Sequence, residues 1–203
     1  MKKILLVLLF PLLVFANDYK SHFFAGGAVA LSKIVDNNDN YDYMGNGDIF
    51  LYGGWEYRPV RWFSLAPTIG FERHGWSWDR AGHKGSISYF NPYLQLELGF
   101  HIKDFYIGGE GGYGYPIFFW GEIDGKSTTD DEFQETYWSC LLSFKLGYTI
   151  KEHYRVGLTS GLTLNKSVLV GVEERYNDGT LEYRHIEAKK EIHFLGIFFT
   201  YLF

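Results

Sequence analysis

The chain has 203 residues and a formal net charge of −5; 46% of its residues are hydrophobic and 20% are aromatic. This apolar content excludes a disordered chain, and the acidic balance argues against a nucleic-acid-binding protein. The single cysteine, Cys140, excludes an internal disulfide, and no cysteine follows the N-terminal apolar run to carry a lipid anchor. A chain of this length is expected to form one domain.

The first element along the chain is a predicted targeting segment. Lys2 and Lys3 precede an unbroken apolar run at residues 4–16. This order is typical of a secretory signal peptide. As a helix the run would reach about 20 Å, short of the roughly 30 Å hydrocarbon core that a membrane anchor must cross. We therefore expect a signal peptide at residues 1–16 and a mature domain at residues 17–203.

The mature chain shows the period-two alternation of β-strands. In the clearest example, Leu94, Leu96, Leu98 and Phe100 share one face of a strand, and polar residues occupy the other. We predict strands near residues 20–32, 47–57, 62–74, 87–101, 105–119, 135–150, 153–169 and 186–203.

The connections between these strands alternate in character, with aromatic residues bunched at both strand ends. Three predicted turns are tight, at residues 58–61, 103–104 and 151–152. Four predicted loops are longer and polar, at residues 33–46, 75–86, 121–132 and 173–185. Short turns at one end and longer loops at the other are typical of outer-membrane barrels, and only closure satisfies every backbone group in lipid. The sequence predicts an all-β fold, an eight-stranded antiparallel up-and-down transmembrane β-barrel.

The alternation also places charged residues inside the barrel, together with His74. An eight-stranded barrel is only wide enough for its own side chains, and unpaired charges there would be costly. We expect a lumen ion cluster centred on Lys145 and Arg155, and a conducting or gated path is the alternative. The expected acidic members are Glu56, Glu72, Glu97 and Glu110.

The last strand carries the most specific signal. Counting back from the terminal aromatic residue, alternate positions are apolar: Phe203, Tyr201, Phe199, Ile197 and Leu195. This arrangement resembles the C-terminal targeting strand of bacterial outer-membrane proteins, which the barrel-insertion machinery reads.

Taken together, residues 17–203 resemble the small eight-stranded outer-membrane barrel family that includes OmpX and the membrane domain of OmpA. The resemblance implies a monomer in the outer membrane of a Gram-negative bacterium, in contact with its lipids and lipopolysaccharide. It also implies a non-enzymatic role in envelope structure or in surface interaction, with four extracellular loops available to an extracellular partner. No catalytic residue, cofactor or metal is expected.

Two alternatives remain open from the sequence. The first is an outer-membrane acyl hydrolase acting on lipid A, although no histidine is followed two residues later by serine as in the lipid A deacylases. Ser160, Glu191 and His193, on the outward faces of the last two strands, would be its nearest candidates. The second is a soluble periplasmic lipocalin-like binding barrel, with its leucine rows turned inward around a ligand.

Overall fold

A computed structural model describes residues 21–36, 43–45, 47–80, 83–123, 126–128, 138–172 and 183–203. Every regular element in these ranges is a β-strand, and none of the described residues forms a helix long and apolar enough to cross a membrane. The strands are β1 (His22–Asp36), β2 (Tyr43–Gly45), β3 (Asp48–Val60), β4 (Phe63–Arg80), β5 (His83–Ile102), β6 (Phe105–Gly114), β7 (Ile117–Ile123), β8 (Lys126–Thr128), β9 (Ser139–Ile150), β10 (Tyr154–Val172) and β11 (Tyr183–Leu202).

Eight of these strands form the wall of a closed antiparallel barrel. Around the wall the order is β1, β3, β4, β5, β6, β9, β10 and β11, and β11 pairs with β1 to complete the ring. The closing pair runs from Phe24 opposite Leu202 to Asp36 opposite Lys190. Three short strands extend the wall at its upper end, the end opposite the tight turns. β2 pairs with β4, β7 pairs with β5, and β8 pairs with β7. The predicted eight-stranded up-and-down barrel is confirmed.

The exterior of this barrel is apolar. Leu94 is 65% exposed, and Leu96 and Leu98 on the same face of β5 are exposed as well. The outer faces of β9 and β11 are also apolar, and Leu142 and Leu195 on these faces are exposed. In water so continuous an apolar surface would be costly, whereas a lipid bilayer requires it. The barrel is therefore a transmembrane one.

Sidedness excludes the lipocalin-like alternative. That interpretation required the leucine rows to face a central cavity and the charged residues to face solvent. Instead, Leu96 lies outside, while Glu97 and Arg155 are buried in the lumen. The alternative of a soluble binding barrel is excluded because the leucine rows face outward and the opposite faces of the strands close around the axis.

Aromatic rings gather on the exterior near the tight turns. Trp62 stacks on Phe100 with ring centroids 6.1 Å apart, and Phe63 packs against Phe100 at 5.4 Å. Phe105 and Tyr148 make an edge-to-face pair at 5.4 Å on the neighbouring strands. Rings at this level suit the boundary between hydrocarbon and headgroups.

The tight turns use left-handed backbone conformations. Lys103 has a φ of 56°, and Lys151 and Glu152 have φ values of 51° and 62°. Short hairpins favour such conformations because their twist matches that of the flanking strands. The turn at residues 103–104 falls where the sequence predicts it, and the turn predicted at 151–152 also includes residue 153. The turn predicted at 58–61 lies instead at residues 61–62, because β3 continues to Val60.

The strands are longer at the other end than the sequence predicts. β4 continues to Arg80 and β5 begins at His83, so most of the loop expected at residues 75–86 is strand. The expected strand at 105–119 is divided into β6 and β7 around Pro116, which has no N–H for the ladder. The predicted signal peptide lies outside the described residues and stays a prediction.

If the leucine rows face hydrocarbon, the cost of a charge should depend on its depth. Leu96→Arg, near the middle of the apolar band, should lower the free energy of unfolding in phospholipid vesicles by about 2–4 kcal/mol. The matched variant Ile102→Arg, on the same face of β5 but at the turn end, should cost at most about 1 kcal/mol. Tryptophan fluorescence during urea titration measures both values. Equal losses would contradict the placement of the bilayer.

Candidate functional site

The lumen contains two groups of polar side chains, one near the tight turns and one toward the longer loops. The lower lumen cluster combines three carboxylates with three cations from five strands. Its members are Glu56, Arg58, Glu97, Glu110, Lys145 and Arg155. The upper lumen cluster combines two carboxylates, an imidazole, an amide and a hydroxyl. Its members are Asp48, Glu72, His74, Asn91 and Ser139.

Lys145 is the centre of one half of the lower lumen cluster. Its ammonium donates to Oε2 of Glu97 at 2.9 Å and also contacts the carboxylate of Glu110. Glu97 and Glu110 are directly opposite each other on β5 and β6, so their charges would repel without a cation between them. The ammonium also lies 4.3 Å from the ring centroid of Tyr52. Lys145 is therefore held by two carboxylates and an aromatic face.

Arg155 is the centre of the other half. Its guanidinium donates to Oε2 of Glu56 at 2.9 Å, and Arg58 donates to Oε1 of the same carboxylate at 2.6 Å. The guanidinium carbon lies 3.8 Å from the ring centroid of Tyr106, whose hydroxyl donates to Glu97. Tyr106 thus connects the Lys145 half of the cluster to the Arg155 half.

Two glycines make room for the Tyr106 ring. Gly99 and Gly108 are cross-strand partners on β5 and β6 and share the inward face with Tyr106. A Cβ atom at either glycine would lie only 2.8 Å from an atom of the Tyr106 ring, well inside contact distance. The ring can lie across the lumen only because neither position has a side chain.

The upper lumen cluster surrounds His74. The ring nitrogen Nδ1 lies 2.9 Å from Oδ2 of Asp48, and Nε2 lies 3.0 Å from Oε1 of Glu72. Asn91 donates its amide both to Glu72 and, at 2.9 Å, to the hydroxyl of Ser139. The cluster therefore ties β3, β4, β5 and β9 together beneath the longer loops.

These positions compare directly with the sequence-based site residues. Glu56, Glu97 and Glu110 lie with Lys145 and Arg155, as grouped by alternation. Glu72 does not; it belongs to the upper lumen cluster, next to His74. Sequence reasoning missed Asp48, Arg58, Asn91 and Tyr106. Alternation alone could have placed Asp48 inward with Phe50 and Tyr52, but nothing in the pattern pairs it with a histidine on another strand.

A small cavity lies between the two clusters. It has a volume of about 30 Å³, and both Glu72 above and Glu110 and Lys145 below line it. A space of this size holds one or two water molecules and nothing larger. The lumen is thus filled by its own side chains at this level.

The outward candidates lie near the upper edge of the apolar exterior. Ser160, Glu191 and His193 are exposed, and Nε2 of His193 lies 3.3 Å from Oε2 of Glu191. Among the described residues the Ser160 hydroxyl makes no hydrogen bond to His193. The residues of the C-terminal signal also face outward: Leu195, Ile197, Phe199, Tyr201 and Phe203.

Comparisons with known proteins agree with this architecture. No protein-family model and no curated protein sequence matches the chain. Among solved structures, it is similar to the attachment invasion locus protein Ail of Yersinia pestis, with 11% identity, a TM-score of 0.50, and coverage of 90% of this chain and 99% of Ail. OprG from Pseudomonas aeruginosa gives 12% identity, a TM-score of 0.51 and coverage of 93% and 98%. Neisserial surface protein A gives 10% identity, a TM-score of 0.52 and coverage of 91% and 100%.

The chain therefore has the fold of the small eight-stranded outer-membrane β-barrels. A closed barrel with an apolar exterior is the form in which strands cross a membrane. The protein is an integral β-barrel of the Gram-negative outer membrane.

Removing the central cation of the lower lumen cluster should destabilise the barrel. Lys145→Met leaves Glu97 and Glu110 buried without their partner, and the free energy of unfolding should fall by about 3–5 kcal/mol. Adding Glu97→Gln and Glu110→Gln should restore most of the loss. Lys103→Met, at an exposed turn lysine, is the control and should change stability by less than about 0.5 kcal/mol. Equal stability of Lys145→Met and wild type would contradict the buried pairing.

Proposed function

We propose that the protein is a non-enzymatic outer-membrane barrel that acts in envelope structure or in surface interaction through four extracellular loops. The observation that carries this proposal is the filled lumen. Ion pairs of Lys145 and Arg155 cross its lower half, and the cavity between the two clusters has a volume of about 30 Å³, enough for one or two water molecules. A barrel without transport through its lumen can interact with other molecules through its outer wall and its loops.

The outward serine supports a non-enzymatic role. Acyl transfer by a serine needs a base within hydrogen-bond reach of the hydroxyl. In the part of the chain that the structure describes, Ser160 has no such contact with His193, whose ring instead lies beside Glu191. The lipid A hydrolase stays the second candidate, and the pairing of His193 with Glu191 is the observation in its favour.

The similarity to Ail is consistent with a surface role, since that protein is described as an attachment invasion locus protein. At 11% identity the similarity indicates the fold, and the role is proposed here for this chain on the filled lumen. Barrels of this class carry their specificity in loops, which tolerate variation on a rigid wall.

The proposal includes the partners expected from the sequence. Outer-membrane lipids and lipopolysaccharide would contact the apolar exterior of a monomeric barrel. Phe203 and the alternating residues before it would be read by the barrel-insertion machinery during assembly. Their outward orientation in β11 leaves them accessible until the strand enters the bilayer.

A closed lumen predicts an absence of ion channels. The purified barrel reconstituted in a planar lipid bilayer should show no conductance steps above the baseline of protein-free membranes. A wide-lumen porin reconstituted in the same way is the positive control. Reproducible steps that require folded protein would overturn the closed-lumen proposal.

A loop-based role predicts that assembly and interaction can be separated. Replacing residues 129–136 and 174–181 with Gly-Ser linkers should leave heat-modifiable migration in gels intact, because the wall pairs without them. Attachment of bacteria carrying the protein to protein-coated surfaces should fall to the level of cells lacking it. Replacing Lys151 and Glu152 with glycine, at a periplasmic turn of positive φ, is the matched control and should change neither property. Full attachment after these two replacements would contradict the proposal.

A further inference from the structure

The two lumen clusters differ in charge. In the lower lumen cluster, Glu56, Glu97 and Glu110 are matched by Arg58, Lys145 and Arg155. In the upper lumen cluster, Asp48 and Glu72 have no lysine or arginine partner among the described residues. Both carboxylates are fully buried, and an unpaired buried charge is strongly unfavourable. A counter-charge must come from within the cluster.

His74 is in position to supply it. Its two ring nitrogens lie 2.9 and 3.0 Å from carboxylate oxygens on opposite sides of the ring. Neither nitrogen is aligned with its carboxylate oxygen as in a hydrogen bond, so the attraction between the ring and the two carboxylates is chiefly electrostatic. The ring itself is fully buried, with Phe50 edge-on at 6.0 Å and Tyr89 at 5.3 Å.

The geometry discriminates between protonation states of the ring. A neutral imidazole has one N–H and one nitrogen lone pair, whereas the imidazolium has an N–H on each nitrogen. In the neutral form, one unprotonated nitrogen, which carries a partial negative charge, would lie about 3 Å from a carboxylate oxygen, and the two would repel. Only the doubly protonated ring presents a positive edge to both Asp48 and Glu72.

We propose that the lumen contains a proton-binding site at His74, where a permanently protonated imidazolium bridges the carboxylates of Asp48 and Glu72. The ligand is a proton, and among the described residues no group of three or more His, Cys, Asp or Glu side chains is arranged to hold a metal ion. The bound proton links β3 to β4, and the amide of Asn91 extends the connection to β5.

The groups packed around His74 agree with this assignment. β3 contributes Asp48 and the apolar ring of Phe50, β4 contributes Glu72, and β5 contributes Tyr89 and the amide of Asn91. None of the described groups in contact with the ring is cationic. The carboxylates are therefore the only charges that the ring meets there.

A spectrum of the ring nitrogens tests the proposal directly. The folded protein, labelled with ¹⁵N-histidine and solubilised in detergent, gives signals from its seven histidines, and His74→Gln identifies the signal of His74 by its loss. An ordinary histidine, with a pKa of about 6.5, is largely neutral at pH 8. We expect both nitrogens of His74 to carry protons at pH 8. A single protonated nitrogen for His74 at that pH would overturn the proposal. So would a wild-type spectrum in which none of the seven histidines carries protons on both nitrogens at pH 8, and this result needs no variant.

A second buried histidine provides a matched control for stability. Nε2 of His101 shares a 2.9 Å hydrogen bond with the hydroxyl of Ser64 and has no carboxylate within ion-pair distance among the described residues. His101→Gln therefore removes a buried imidazole without removing a counter-charge. Any loss of stability in this variant at pH 8 should not be recovered by adding Asp48→Asn.

His74→Gln should behave differently. At pH 8 it leaves two uncompensated carboxylates, and the midpoint of the thermal gel shift should fall by roughly 10 °C. Adding Asp48→Asn should recover part of the midpoint at pH 8. No recovery on adding Asp48→Asn, as expected for His101→Gln, would contradict the proposal.

Discussion

The whole structure depends on one constraint, the absence of hydrogen-bonding partners in hydrocarbon. Every backbone N–H and C=O at membrane depth must be satisfied within the protein, so the sheet has to close. The pairing of β11 with β1 achieves this by joining the first and the last of the described strands. Closure then fixes the sidedness of each strand, because leucines such as Leu96 meet lipid and the intervening residues meet one another.

Because the apolar faces of the strands point toward lipid, the charged side chains are buried in the lumen. An eight-stranded barrel has no room for bulk water, so its inward charges must neutralise one another through specific contacts. The lower lumen cluster does so with lysine and arginine, and the upper with a histidine. Tyr106 connects the Lys145 half of the lower lumen cluster to the Arg155 half, and its ring lies against Gly99 and Gly108. The lumen is therefore the core of the barrel, in which ion pairs are packed among buried aromatic and aliphatic side chains.

Alternation in the sequence predicts most of this fold because a period of two is a local property. It assigns Glu97 to the lumen and Leu96 to the exterior without knowledge of the partner strands. Pairing is not local: whether Glu72 meets Lys145 or His74 depends on the stagger between strands, which no single strand reveals. The strands are also longer than alternation predicts. Polar residues beyond the apolar band, such as those of β4 up to Arg80, keep their backbone pairing in water, and polar residues of this kind are equally common in loops.

The length of the strands has a further consequence for where the chain meets its surroundings. β5 and β11 each contain 20 residues, which extend roughly 65 Å at about 3.3 Å per residue and rise roughly 45–50 Å along the axis at the usual tilt. The apolar band of such barrels is only about 25 Å tall. Much of the remainder lies outside the hydrocarbon, so the paired wall itself continues beyond the lipid headgroups.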